Sequence, residues 1–159
     1  MSRKGNIRKK TIPADPIYRN LLVSKLINKV MFSGKKTVAE THVYKAFEII
    51  EKKLKKDSLE VFLAAVDNIR PRVEVRSRRV GGATYQVPSL VRGRRQDSLV
   101  IRWLVNAARS RSNSEFHSFA EKLAAEVADA YNRAGGAMAK REEIEKVAEA
   151  NTAFSHLRW

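Results

Sequence analysis

Apolar residues along this chain recur mostly at helical spacing. Leu22, Val23, Leu26, Ile27, Val30 and Met31 form one such stripe, which Gly34 ends. Asp15-Pro16 looks like the entry to that helix, an acceptor side chain placed before a proline. A second helix is expected over 35–54, with Val43, Ala46, Phe47, Ile50 and Leu54 inward and Thr37 and Glu40 at capping-box spacing. Asp57 or Ser58 should cap a third helix that buries Leu59, Phe62, Leu63, Val66 and Ile69 and closes at Pro71. A fourth runs over about 92–109, with Leu99, Val100, Trp103, Leu104, Ala107 and Ala108 inward. After a polar turn at 110–114, a fifth over 115–131 should bury Phe116, Phe119, Leu123, Ala124 and Val127. Gly135-Gly136 separates it from an alanine-rich sixth helix over about 137–151, with Glu142 and Lys146 at i,i+4 spacing. Residues 154–159 are expected to be extended.

One segment breaks the helical period. Val73 to Val80 and Ala83 to Val87 read as strands flanking Gly81-Gly82, and two glycines supply the positive φ values a two-residue hairpin turn needs. That turn fixes the register. Arg78 falls opposite Tyr85 and Arg76 opposite Val87 on one face. Val73 and Val75 oppose Leu90 and Pro88 on the other, and Arg79 opposes Thr84 near the tip. The base can pack on a core, whereas the tip is cationic and polar. An arm of this length would reach roughly 25 Å. The fold class is therefore mainly α: a single six-helix domain over 15–159 that includes a projecting hairpin at 72–90, preceded by an extended basic arm over 1–14.

Charge sharpens this picture. The 159 residues carry a formal net charge of +15. Residues 1–36 hold ten Lys or Arg against Asp15, and residues 70–111 hold eleven Arg against Glu74 and Asp97. Each segment is thus +9, and the rest of the chain is slightly acidic. The second segment has no lysine, and arginine's planar fork grips phosphate in two places where lysine acts as a point charge. Arg95, Arg102 and Arg109 recur every seven residues and should line one exposed stripe of the fourth helix. Such a surface points to nucleic acid. Tyr85 has two uses open to it, packing across the strands or stacking on a base.

Catalytic chemistry is not expected. There is no cysteine, so thiolate nucleophiles and thiolate metal sites are excluded. His42, His117 and His156 fall on three elements without ligand spacing, and no phosphate-cradling glycine motif accompanies the hairpin glycines. No metal, cofactor or membrane partner is expected. A membrane-surface binder would want one cationic amphipathic helix, but this charge lies on a tail, an arm and a stripe. A DNA-architectural protein would want a large apolar wedge at the arm tip, and the tip here is Val80-Gly-Gly-Ala.

Several strings are specific enough to carry a resemblance. They are Asp15-Pro-Ile-Tyr, Gly34-Lys-Lys, the hairpin from Pro71 to Pro88, Ile101-Arg-Trp-Leu-Val, Lys140-Arg-Glu, Ala148-Glu-Ala-Asn and Ala153-Phe-Ser-His-Leu-Arg-Trp. Together the chain resembles the family of small-subunit ribosomal proteins numbered seven, of the bacterial and organellar type. It departs from that pattern at His42 and at Ile144-Glu145. The resemblance implies a structural constituent of the ribosome, in the cytoplasm or an organelle. It implies direct binding to the 3′ major domain of small-subunit rRNA and nucleation of head assembly. It also implies a hairpin near the exit-site tRNA and mRNA path, and small-subunit proteins nine, eleven and thirteen as neighbours. The RNA-binding positions it implies are Arg3, Lys4, Arg8, Lys9 and Lys10 on the tail, and Lys35 and Lys36 at a helix junction. Arg72, Arg76, Arg78 and Arg79 follow on the arm, then Arg92, Arg94, Arg95, Arg102 and Arg109 on the fourth helix, then Lys140, Arg141 and Arg158.

Overall fold

The computed structural model describes residues 12–157. Six α-helices run in chain order, α1 (Leu21–Val30), α2 (Lys36–Leu54), α3 (Ser58–Ile69), α4 (Arg94–Ser110), α5 (Phe119–Tyr131) and α6 (Gly136–Ala150). Strands β1 (Val73–Val80) and β2 (Ala83–Leu90) lie between α3 and α4, and a 3-10 helix covers Thr152–Leu157. Alanine-rich α5 sits at the centre, against α2, α3 and α4. Its small side chains let those neighbours approach closely. Phe47 and Phe62 are fully buried beside it with ring centroids 5.4 Å apart, and Leu26, Ile50, Ile69, Leu104 and Leu123 complete the core. This packing fixes α1 against α4, the pair that carries much of the cationic surface.

Several helix starts differ from the sequence expectation. α1 begins at Leu21, because Asn20 caps it through Leu22 N–H, while Asp15 organises the turn before it. The Asp15 carboxylate accepts from the Ile17 and Tyr18 amides at 3.1 and 2.9 Å and from the Tyr44 hydroxyl at 2.8 Å. Burial, followed by that bond to Asp15, pushes the Tyr44 hydroxyl pKa well above its ordinary value. The Thr37/Glu40 capping box does not form. Lys35 is the N-cap without a side-chain bond, and Glu40 pairs with Lys36 at 3.2 Å.

α5 starts four residues later than expected, at Phe119, where Ser118 and Glu121 make a reciprocal capping box. Phe116 therefore lies in the preceding loop, half-buried, with the Arg111 guanidinium 5.6 Å from its ring centre. On α6 the pairs formed are Lys140–Glu143 and Arg141–Glu145, not Glu142–Lys146. An extended run was expected over 154–159; residues 154–157 belong instead to the 3-10 helix Thr152–Leu157, which packs on β2, and 158–159 lie outside the described residues.

The hairpin has the expected register throughout, from Val73↔Leu90 at the base through Arg76↔Val87 and Arg78↔Tyr85 to Val80↔Ala83 at the tip. Gly81 and Gly82 take φ values of 56° and 92°, the left-handed values this turn requires. Its environment differs from a bare arm. α6 packs against both strands, and the Tyr85 ring meets Phe154 with centroids 5.1 Å apart. The Tyr85 ring thus has an aromatic partner within the chain, from the 3-10 helix and not from the opposite strand.

Candidate nucleic-acid interface

The hairpin base is bolted to α4 by one carboxylate. Glu74, only 6 % exposed, accepts from Arg76 at 2.5 Å and from Arg95 at 3.0 Å. Burial acts to raise the Glu74 pKa, but the two arginine hydrogen bonds outweigh it and hold the carboxyl below its ordinary value. A depressed carboxylate contributes stability that is present above the unfolded value, about 4.3, and lost as pH falls through the folded one. The hairpin base should therefore loosen from α4 as pH drops below about 4. Amide hydrogen exchange at Val87 and Val91 should accelerate there, and Glu74→Gln should bring the same acceleration at neutral pH. Unchanged exchange in that variant would show that packing alone holds the arm.

Asp97 has a similar role in the first turn of α4. It pairs with Lys25 of α1 at 2.8 Å and with Arg70 at 3.2 Å, and so ties three elements at the root of the arm. The only two carboxylates of residues 70–111 are thus committed to fixing cations in place. The cations they leave over belong to two neighbouring segments. Arg72 and Arg79 of the hairpin segment and Arg92, Arg94 and Arg102 of the α4 segment are all exposed, and none forms an ion pair among the described residues. Arg94 and Arg95 also sit in the first turn of α4, where the helix dipole disfavours cations. The bond to Glu74 accounts for Arg95, but no contact among the described residues accounts for Arg94, and an incoming phosphate would.

The remaining candidates divide by environment. Arg95 and Arg109 are exposed on α4 as the seven-residue spacing requires, but each is held at one end. Arg95 bonds Glu74, and Arg109 donates to the Val30 carbonyl at 3.2 Å, at the end of α1. Arg76 is engaged by Glu74, and Arg78 is half-buried beside Tyr85 on the hairpin. Lys35 and Lys36 are both exposed at the α1–α2 junction. Lys140 pairs with Glu143 on the surface of α6, and Arg141 bonds Glu145 and the Asn68 carbonyl, so both have partners within the fold. Arg3, Lys4, Arg8, Lys9, Lys10 and Arg158 lie outside the described residues.

One cation on this surface is not singled out by the sequence reading. Lys29, exposed in the last turn of α1, lies in a shallow groove of about 310 Å3 with Lys25, Asn28, Ile101, Arg102 and Ile12. The signal is present in the sequence: Lys25 and Lys29 are four apart and flank the apolar stripe of α1. Lys29 thereby joins α1 to the α4 stripe, and the chain leaving the N-terminal segment passes Ile12 in the same groove. Among the described residues no cluster of His, Asp or Glu has the arrangement of a metal site, and no helix is long and apolar enough to cross a membrane.

A helical body whose carboxylates lock a cationic arm and stripe into position, while further arginines face outward, defines a nucleic-acid-binding scaffold protein. The chain belongs to the ribosomal protein S7p/S5e family, whose profile matches residues 2–152. It is 54 % identical over 157 residues to the small ribosomal subunit protein uS7 of Thermotoga neapolitana, covering 99 % of both chains. Over 159 residues and the full length of both chains, it is 54 % identical to the uS7 of Moorella thermoacetica and 52 % identical to that of Rhodopseudomonas palustris. Members of this family are structural, non-enzymatic components of the ribosome.

Proposed function

We propose that this chain is a small-subunit constituent of the cytoplasmic ribosome that binds small-subunit rRNA directly, in the 3′ major domain, and nucleates assembly of the head. Its relatives are named as small-subunit proteins and match it end to end. The observation that carries the reading is the set of exposed arginines, Arg72, Arg79, Arg92, Arg94 and Arg102, arrayed around the hairpin root and α4. Cations spread over a tail, an arm, a helix stripe and a helix junction suit a folded RNA junction, which is recognised by shape and backbone, better than a straight duplex. In this reading Arg79 carries the arm tip toward exit-site tRNA and mRNA, and small-subunit proteins nine, eleven and thirteen are neighbours.

The test is a competition at matched salt. The full chain should bind an rRNA fragment spanning the 3′ major domain more tightly than duplex DNA of equal length. It should also co-sediment with small subunits through a high-salt gradient. Equal affinities for the two nucleic acids, with loss of co-sedimentation, would favour a DNA-architectural protein instead.

A further inference from the structure

A groove of about 590 Å3 opens between the α1–α2 junction, the C-terminal end of α4 and the start of α5. That volume lies within the range of small-ligand sites, about 300–1,000 Å3. Its walls are apolar and partly aromatic. Phe32 is 78 % exposed and Val38 50 % exposed, two of the most exposed large apolar side chains among the described residues. His42 and Phe119 meet edge to face behind them, with centroids 6.0 Å apart and planes at 88°. Two cations complete the lining, Lys35 and Arg109, and no carboxylate lines it. Arg109 is pinned there by its bond to the Val30 carbonyl. Lys35 makes no ion pair among the described residues.

An apolar floor with an exposed aromatic ring and a purely cationic rim is complementary to one kind of molecule. A nucleotide has a flat π-face and an anionic phosphate. An apolar protein side chain would use the floor and leave both cations without a counter-charge. The junction backbone keeps the ring outward: Ser33 and Gly34 take left-handed φ values of 50° and 77°, and this tight turn follows Phe32 directly. Among the described residues nothing covers the ring, and its packing within them does not explain its exposure.

We propose that this groove receives an unstacked base of the bound RNA, with Phe32 as its stacking platform and Lys35 and Arg109 on the flanking phosphates. Sequence-specific recognition of RNA typically works this way, by splaying single-stranded bases onto aromatic side chains. The inference rests on the RNA-binding reading above and adds a base-contacting site to its backbone contacts.

The experiment uses the full chain and an rRNA fragment spanning the 3′ major domain, with its unpaired junction nucleotides intact. Phe32→Ala should weaken binding roughly tenfold, in line with the stacking of one base on one aromatic ring, and leave the salt dependence unchanged. Lys35→Ala should instead lower the salt slope, by up to ~0.7–0.9 for one lost phosphate contact. Phe32→Trp should retain affinity, and its added fluorescence should be quenched when the fragment binds. Wild-type affinity in Phe32→Ala, together with weakened binding when exposed α4 arginines are removed, would overturn the base site while leaving RNA binding intact. If the unaltered chain showed no preference for the rRNA fragment over duplex DNA, the RNA-binding reading itself would fail. Normal RNA affinity in Phe32→Ala, combined with loss of a ribosomal protein neighbour during subunit reconstitution, would make the groove a protein-docking face and overturn the proposal.

Discussion

Glu126→Ala should cost about 3–5 kcal/mol of stability, the range for removing one partner of a buried charge pair. Glu126 is 1 % exposed in the middle of α5, and it accepts three hydrogen bonds from two groups. One carboxylate oxygen accepts from Arg111 Nε and Nη2 at 2.8 and 2.6 Å, and the other accepts from the Ala137 amide at 2.8 Å. The substitution strands a buried backbone donor at the start of α6 and leaves Arg111 with Asp129 as its one carboxylate among the described residues, itself 45 % exposed on its side chain. Gly135 shows how closely this site is fitted. It has φ 91°, and a Cβ there would lie 3.0 Å from the Glu126 oxygen and 3.1 Å from Asp129 Cβ. Urea unfolding monitored by circular dichroism measures the loss. Asp129→Asn serves as the contrast, since a half-exposed partner should cost under about 1 kcal/mol. A loss for Glu126→Ala no larger than that would mean the α5–α6 corner is held by packing and not by this carboxylate.

Replacing Arg92, Arg94 and Arg102 together with Ala should produce the opposite pattern, intact folding and a large loss of affinity. All three are exposed without ion pairs among the described residues, so each change should shift stability by no more than about 0.5 kcal/mol. Arg94 opposes the dipole at the first turn of α4, and its removal should even help by a few tenths of a kcal/mol. If each arginine neutralises one phosphate, the slope of log K against log salt should fall by up to ~2–3 for the set. At 0.15 M salt that corresponds to a loss on the order of a hundredfold. Binding isotherms for the rRNA fragment at several salt concentrations supply both numbers. An unchanged slope would move the anchor away from α4, to the tail or the arm.

The parts of this architecture that are legible in the sequence are those set by local periodicity. Gly81-Gly82 fix the turn, and a strand period of two then places every cross-strand pair down to Val73↔Leu90. The seven-residue spacing places Arg95, Arg102 and Arg109 on one exposed face of α4 in the same way. What stays hidden depends on partners distant in the chain. Asp15 has the local look of a helix cap, yet its carboxylate binds Tyr44, twenty-nine residues away. Glu74 and Asp97 look like minor relief in a basic segment, but they join the hairpin to α4 and α4 to α1. Glu126 reads as one more charge on an alanine-rich helix, since no local pattern reveals a carboxylate facing inward. The start of α5 is a different case: Ser118 and Glu121 carry the cap signal, and the apolar Phe116 upstream masks it.

The contact between Tyr85 and Phe154 spans nearly half the chain, so the arm's direction is decided late. During synthesis the hairpin emerges well before residues 152–157, and until they arrive β2 lacks the 3-10 helix that packs on it. The α1–α4 surface depends less on that late segment, because the packing of α1 on α4 and the Lys25–Asp97 pair form upstream of α6, which then packs on α4 before residues 152–157 arrive. A growing chain can thus present its cationic face before its arm is aimed, and the order of translation becomes an order of engagement, with the body first and the arm last.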